Sequence, residues 1–357
     1  MKKGSAFRVI RLAGAFVACA IGSGFATGQE IMQFFTGQGI LSIAGGVINT
    51  LIFALCGGLF MKHGFRYQLD TPLKATNFYF GRTCGRIVEI ILQLFVFGVY
   101  LIMVSGAGAT LNEYYGLHPL AGRILMSLLC LITVILGLSR LTDILGWLGP
   151  VIIVLALGVG FFAVFSRPEG IREAAELIPT LAIKKTAGGW LWSSVLYPGF
   201  NAVVVFALSC AIGAEAENEK EACLGGILGG VLFGAAALVM NLGLMARIGE
   251  VWDKAVPTLA IAREIAPLFA AVFSVIICCG IYTTAVPMLW GDVRHFAEDR
   301  SKKAVLVTAV LAVLGLLLGM TDFKVLVNTI YPASGYFGVI LILLTVYREF
   351  RPGKDKP

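Results

Sequence analysis

The chain has 357 residues, of which 58% are hydrophobic and only 14% are charged, and its mean hydropathy is +0.88. About a quarter of the residues are charged in an ordinary soluble domain, so this composition excludes a soluble globular protein. The eight cysteines and three histidines show neither a CxxC pair nor metal-ligand spacing, which argues against a disulfide framework and a histidine metal centre. The net charge of +7 is spread among loops, so we expect a lipid bilayer rather than nucleic acid as the partner.

Apolar stretches long enough to cross a bilayer recur along the whole chain. They predict an all-α membrane protein that forms one transmembrane domain over residues 1–357. In the two long loops, short interfacial helices are expected around residues 65–80 and 169–183. The ten predicted spans, numbered 1 to 10, cover roughly residues 9–35, 41–61, 87–111, 124–138, 145–165, 188–213, 222–246, 266–290, 304–319 and 325–347.

The distribution of basic residues predicts the orientation in the membrane. If the N-terminus is inside, about two thirds of the 28 Lys and Arg residues fall on the inner side. An even number of spans then places the C-terminus on the same side. We therefore predict a multi-pass protein of the bacterial cytoplasmic membrane with both termini in the cytoplasm.

The spacing of the spans indicates an internal repeat. The starts of spans 1 to 5 and of spans 6 to 10 differ by a constant offset of about 180 residues. Because the repeating unit has an odd number of helices, its second copy crosses the membrane in the opposite direction. The predicted inverted repeats cover about residues 7–166 and 186–348, and a ten-helix bundle without a repeat is the alternative.

Helix-breaking residues lie near the middle of spans 1 and 6. Gly22, Ser23 and Gly24 cluster in span 1, and Pro198 and Gly199 follow each other in span 6. With the repeat offset of about 180 residues, Pro198 corresponds to a position near residue 18, close to the glycine cluster of span 1. Interruptions at corresponding positions of two halves point to a transporter's binding site. We therefore predict that helices 1 and 6 are discontinuous. The alternatives are a small-residue packing face in span 1 and a structural kink in span 6.

Two interrupted helices would expose backbone amides and carbonyls at the depth of the bilayer centre. The middles of spans 1 and 6 contain no lysine or arginine. Backbone dipoles would therefore supply most of the recognition of a charged solute. The predicted substrate-binding residues are Gly22, Ser23, Gly24, Phe25, Tyr197, Gly199, Phe200 and Asn201.

Acidic residues near the predicted site have two interpretations each. Glu30 lies about two turns beyond the break, and an acid inside a membrane is functional by default, so it is a candidate for proton coupling. The alternative is a solvated residue at the outer interface. The acidic stretch at residues 215–221 is either a solvated loop or part of an inner gate with Arg8 or Arg11.

The GSG break, the Pro-Gly break and the five-plus-five plan resemble the LeuT fold of the amino acid, polyamine and organocation (APC) superfamily. GSGFATGQE in span 1 is similar to YkvI-type bacterial membrane proteins. This resemblance implies a secondary active transporter of a small organic solute, such as an amino acid or an amine, that works by alternating access. The fold also resembles the ligand-binding membrane subunits of spore germination receptors, so a solute sensor is the alternative function.

The resemblance also implies a coupling ion. Sodium-coupled members of the fold hold Na⁺ with backbone carbonyls near the helix 1 break and with two adjacent hydroxyls on helix 8. No other cofactor is expected, and the absence of HExxH, GxSxG or an acidic cluster at membrane depth argues against an enzyme. The threonine hydroxyls could instead bond to their own backbone, and coupling to H⁺ is the alternative to Na⁺. The implied Na⁺ ligands are Ala18, Ile21, Gly280, Thr283 and Thr284.

Overall fold

The computed structural model describes residues 3–20, 22–137, 141–298 and 301–350, and within these ranges it contains helices and loops but no strands. Most helices are long enough to cross or nearly cross a bilayer. The fifteen α-helices of the described residues are α1 (Lys3–Ala20), α2 (Ser23–Thr27), α3 (Gln29–Phe34), α4 (Ser42–Tyr67), α5 (Pro72–Tyr115), α6 (Pro119–Leu136), α7 (Leu141–Ser166), α8 (Gly170–Leu177), α9 (Gly189–Ala214), α10 (Glu219–Ala246), α11 (Ile248–Val251), α12 (Pro257–Ile265), α13 (Pro267–Phe296), α14 (Lys302–Leu318) and α15 (Phe323–Phe350).

The long helices coincide with the predicted spans to within a few residues at most ends. Seven helices of the described residues are long and apolar enough to cross a membrane, and the bent pair formed by α7 and the α8 segment supplies an eighth. The shorter α1 and α14 occupy predicted spans 1 and 9, with 18 and 17 residues. The chain is therefore an all-α membrane protein, as its composition predicts.

Short helices lie between several of the spans. The structure has a turn at Gly81 (φ 78°) that separates residues 72–80 from the apolar span Cys84–Tyr115, in the loop where an interfacial helix is predicted. The second predicted loop helix corresponds to α8. The helix α12, which follows α11 and contacts the first span through Thr258, was not predicted from the sequence.

Glycines bring the backbones of the central helices into direct contact. A methyl group built at Gly226 of α10 would overlap the carbonyl oxygen of Gly57 in α4, and one at Gly64 of α4 would overlap the carbonyl of Cys210 in α9. Such approaches let dispersion forces stabilise helix pairs in lipid, where the hydrophobic effect between helices is absent. The helices α4, α9 and α10 therefore form a closely packed group.

The predicted interruption of span 6 is wrong, because α9 runs as one helix from Gly189 to Ala214 with Pro198 inside it. Packing against α15 accounts for the difference. A methyl group built at Gly199 would lie 2.5 Å from the carbonyl oxygen of Gly335, and one at Gly338 would overlap the carbonyl of Gly199. Membrane helices tolerate a proline when neighbouring helices support the backbone. Pro198 and Gly199 therefore form a helix-packing surface.

Three of the acidic residues after α9 form ion pairs with arginines, and of these Glu221 is buried. Arg8 of α1 donates two hydrogen bonds of 2.8 Å to the carboxylate of Glu221 and lies 3.1 Å from Glu217. Arg66 at the end of α4 makes the same bidentate contact with Glu219. These ion pairs connect α1 and α4 to the start of α10 on the face where α1 begins.

Candidate functional site

The first span is interrupted twice. The helix α1 ends at Ala20, and Gly22 is extended (φ −95°, ψ 176°) before α2 begins at Ser23. After five residues Gly28 adopts a left-handed conformation (φ 76°) that favours glycine, and α3 begins at the next residue. The glycines that predicted a break therefore lie at the break.

Threonine side chains accompany this broken backbone. The hydroxyl of Thr27 donates to the carbonyl of Gly24 at 2.8 Å, and the hydroxyl of Thr258 in α12 donates to the carbonyl of Ala26 at 2.6 Å. Carbonyls at helix ends have no intrahelical partner, and leaving them unpaired inside a membrane is costly. Thr27 and α12 thus stabilise the short helix α2.

A cavity of about 180 Å³ lies against the break. Its walls come from α1, α2, α3, α5, α9, α13 and α15, so residues from both halves of the chain meet there. Of the residues predicted from sequence, those that line the cavity are Ala18, Gly22, Gly24, Glu30, Phe200, Asn201, Thr283 and Thr284.

Other predicted site residues lie outside this lining. Phe25 is fully buried with its ring 5.7 Å from that of Phe233, and Gly199 packs on α15, so both have packing positions. Tyr197 lies behind the lining, where it contacts Glu30. The predictions for Ile21 and for the side chain of Ser23 lie outside the described residues.

Thr283 and Thr284 bond to their own helix, as the alternative interpretation anticipated. Both hydroxyls donate to the carbonyl oxygen of Gly280, at 2.9 and 3.0 Å. Their oxygens retain lone pairs that can accept a bond or contact a cation, and both residues line the cavity. Within the described ranges, no group of three or more His, Cys, Asp or Glu side chains is placed to hold a metal ion.

Glu30 is a buried acid rather than a solvated interfacial residue. Its relative exposure is 5%, it lines the cavity, and one carboxylate oxygen accepts a 2.9 Å hydrogen bond from the hydroxyl of Tyr197. Aromatic rings fix Tyr197, including Phe35 at 5.0 Å and Phe200 at 5.2 Å. The hydrogen bond from Tyr197 therefore positions the carboxylate at the edge of the cavity.

The two sides of the break differ in accessibility. Gly14 and Ala18 of α1 are exposed, and Ala18 lines the cavity. All six residues of α3 are buried, as are Thr36 and Gly37 in the turn that follows. The α3 side of the break is therefore buried within the protein, whereas α1 has exposed residues beside the cavity.

Tyr331 of α15 lines the cavity but was not predicted from the sequence. Its ring stacks on that of Phe200 with centroids 4.3 Å apart and planes 8° from parallel. A signal was present, because the dipeptide Tyr-Pro occurs in span 6 at Tyr197 and again in span 10 at Tyr331. Both tyrosines lie next to the break, because Tyr197 donates a hydrogen bond to Glu30 and the hydroxyl of Tyr331 lies close to Gly24.

A second buried acid, Asp292 near the end of α13, was also missed because the predicted span 8 ended at residue 290. Its relative exposure is 2%, and one oxygen accepts a hydrogen bond from the amide of Gln93 in α5. The other oxygen has no partner among the described residues. Asp292 lies outside the cavity lining, about two turns beyond Thr284.

No family model matches the chain. Two relatives from Bacillus subtilis align over almost the whole length. The uncharacterized membrane protein YkvI is 26% identical over 341 residues, covering 95% of both chains. The uncharacterized protein YyaD is 27% identical over 330 residues, covering 92% of this chain and 93% of the relative.

Solved transporters share the architecture at low sequence identity. MhsT in complex with L-phenylalanine aligns with a TM-score of 0.66 at 12% identity, over 96% of this chain and 89% of MhsT. Mhp1 in its inward-facing conformation gives 0.63 at 16%, over 96% and 77% of the chains. The Eremococcus coleocola manganese transporter (H236A mutant) gives 0.60 at 16%, over 99% and 90%. The predicted resemblance is therefore confirmed: the chain is similar to YkvI-type membrane proteins and has the LeuT-type fold.

Proposed function

We propose that this protein is a secondary active transporter of a small organic solute, an amino acid or an amine, and that the cavity at the first break is its substrate site. The observation that carries the proposal is that cavity. It adjoins a helix interruption, contains one buried acid, and takes its walls from both halves of the chain. The transporters that share the fold support the transport function.

The proposed architecture has ten spans in two inverted repeats, about residues 7–166 and 186–348. In this arrangement α1, α2 and α3 together form span 1, and α14 forms span 9. We further propose a bacterial cytoplasmic membrane location with both termini in the cytoplasm. The cavity would then face the cytoplasm, as in an inward-open state of an alternating-access cycle.

Sodium is the proposed coupling ion. Hard cations prefer oxygen ligands, and the hydroxyls of Thr283 and Thr284 line the cavity together with Ala18. Carbonyls of Ala18, Ile21 and Gly280 would complete the ligand set. Proton coupling through Glu30 is the competing assignment.

The function is tested with the purified protein in proteoliposomes. A thermal-shift screen of proteinogenic amino acids and simple alkylamines, with and without Na⁺, identifies ligands because binding raises apparent stability. Uptake of a radiolabelled hit is then measured with and without an inward Na⁺ gradient. We expect uptake above equilibrium that collapses with the gradient. Saturable binding without flux would contradict transport and favour the sensor.

Thr284→Ala tests the sodium site. Loss of one oxygen ligand is expected to weaken the Na⁺ dependence of ligand binding by roughly tenfold. The matched control is Thr308→Ala in α14. The hydroxyl of Thr308 donates a 2.7 Å hydrogen bond to the carbonyl four residues earlier, as that of Thr284 does, but Thr308 does not line the cavity. Equal Na⁺ dependence in Thr284→Ala and the wild type would remove Thr284 from the site.

A further inference from the structure

We propose that the cavity binds a small organic ammonium ion, with Glu30 as the counter-charge and the stacked rings of Phe200 and Tyr331 as an aromatic wall. The proposal rests on the proposed transport function and narrows its substrate class from amino acids and amines to amines without a carboxylate. Three observations carry it: the charge balance of the lining, the aromatic geometry and the size of the cavity.

The described lining of the cavity contains one carboxyl group and no side chain of opposite charge. That carboxyl group belongs to Glu30, and none of the described lining residues is a lysine, arginine or histidine. The ion pairs of the described residues also leave Glu30 without a basic partner within 4.0 Å. A buried carboxylate is costly unless a cation or a proton compensates it, and the cavity offers room for a cation beside this one.

The same balance disfavours a ligand that carries its own carboxylate. No basic side chain among the described lining residues would receive the carboxylate of an amino acid beside Glu30, so only backbone dipoles at the break could do so. The like charge would reduce the binding of a zwitterion relative to the amine alone. The charge pattern therefore selects for a net cation.

The aromatic wall suits an ammonium group. Phe200 and Tyr331 lie face to face with ring centroids 4.3 Å apart, and both line the cavity. Aromatic rings attract alkylammonium groups through their quadrupole. The hydroxyl of Tyr331 also lies close to Gly24, so the wall and the carboxylate of Glu30 approach the same glycine.

The volume limits the size of the ligand. The cavity measures about 180 Å³, and an apolar protein cavity of about 150 Å³ holds benzene. A ligand of roughly five to nine non-hydrogen atoms is therefore expected. Choline and butylammonium fall in this class and serve as probes.

The charge preference is tested first on the wild-type protein, with three probes of one shape. Isothermal titration of the protein in nanodiscs compares choline with its uncharged carbon isostere 3,3-dimethylbutanol and with its zwitterionic relative betaine. Butylammonium is titrated as well, as the probe that carries a primary ammonium group. We expect an ammonium probe to bind and both the neutral and the zwitterionic analogues to bind at least about tenfold more weakly. Stronger binding of betaine than of choline, or no binding of either ammonium probe, would overturn the proposal.

Variants then test the residues. Glu30→Gln keeps the size of the side chain and is expected to weaken ammonium binding by about 30-fold, while Phe200→Leu is expected to weaken it about fivefold. Asp292→Asn is the matched control, because it neutralises another buried acid outside the lining and should leave binding unchanged. Equal binding of choline by Glu30→Gln and the wild type would contradict the role of Glu30.

Failure of this inference differs from failure of the proposed function. If the protein accumulates an amino acid in proteoliposomes but binds no ammonium probe, the transport proposal holds and the ammonium assignment is wrong. If ammonium probes bind at Glu30 but no solute crosses the membrane, the ammonium site holds and transport is wrong.

Discussion

The first span and α9 contain the two predicted interruptions, and only the first is interrupted. In the first span, Gly22 is extended and Gly28 is left-handed, so the chain forms three helical pieces. In α9, Pro198 and Gly199 remain inside one continuous helix. The sequence signals were of similar strength, yet the structures differ.

The difference lies in what surrounds each segment. A methyl group built at Gly22 would meet no atom within 4 Å, and a cavity lies beside it. Gly199 contacts the backbone of α15 directly, through Gly335 and Gly338. Glycine in a membrane helix therefore marks either a break beside a cavity or a close helix contact, and the neighbouring helix decides which.

The largest expected loss of stability comes from Gly338→Ala in α15, which disturbs the contact between α15 and the continuous helix α9. The added methyl group would overlap the carbonyl of Gly199, and backbone in the middle of two packed helices cannot move aside cheaply. We expect a loss of about 3 kcal/mol in the free energy of unfolding, measured as a lower midpoint of thermal unfolding in detergent.

The control for this prediction is Gly158→Ala in α7, where the glycine is exposed and a methyl group meets nothing within 4 Å. Its stability should equal or slightly exceed that of the wild type, because alanine favours helix. An unchanged midpoint in Gly338→Ala would mean that α9 and α15 do not pack as closely as described.

The next effect comes from Gly24→Ala at the break. The methyl group would lie 2.6 Å from a carboxylate oxygen of Glu30 and 3.0 Å from the hydroxyl of Tyr331, and both groups end flexible side chains that can shift. Stability should therefore change by less than about 1 kcal/mol, while ligand binding falls at least tenfold because the carboxylate is displaced. Thermal unfolding and titration with the best ligand measure the two quantities separately, with Gly158→Ala again as control. Normal ligand binding would show that the break is not the binding site.

The smallest effect is expected from Pro198→Ala. Because α9 is already continuous, alanine restores a backbone amide without changing the path of the helix. We expect a stability change within about 1 kcal/mol and a change in ligand affinity below about threefold. A large loss of affinity in titration would indicate that α9 opens at Pro198 in another state of the cycle, which would restore the symmetry of the two interruptions.

Much of the fold was predictable from the sequence, because bilayer thickness and the cost of bare backbone in lipid act on each helix separately. The predicted span 266–290 corresponds to α13, and the break at Gly22 lies where the glycine cluster indicated. The cavity lining was predictable in part. Phe200 and Thr284 were identified, but Tyr331 was missed because it lies in α15, where no break was predicted.

By itself, the sequence determined the membrane location of the chain, the order and approximate ends of its long helices, and the weak point in the first span. These properties depend on local hydropathy and on backbone freedom at particular glycines. Only the tertiary structure decided that Pro198 packs instead of breaking, that Glu30 is buried beside Tyr197, and that Tyr331 reaches the same cavity. Those outcomes depend on which helix surfaces meet, and contacts between residues distant in sequence leave no local pattern to read.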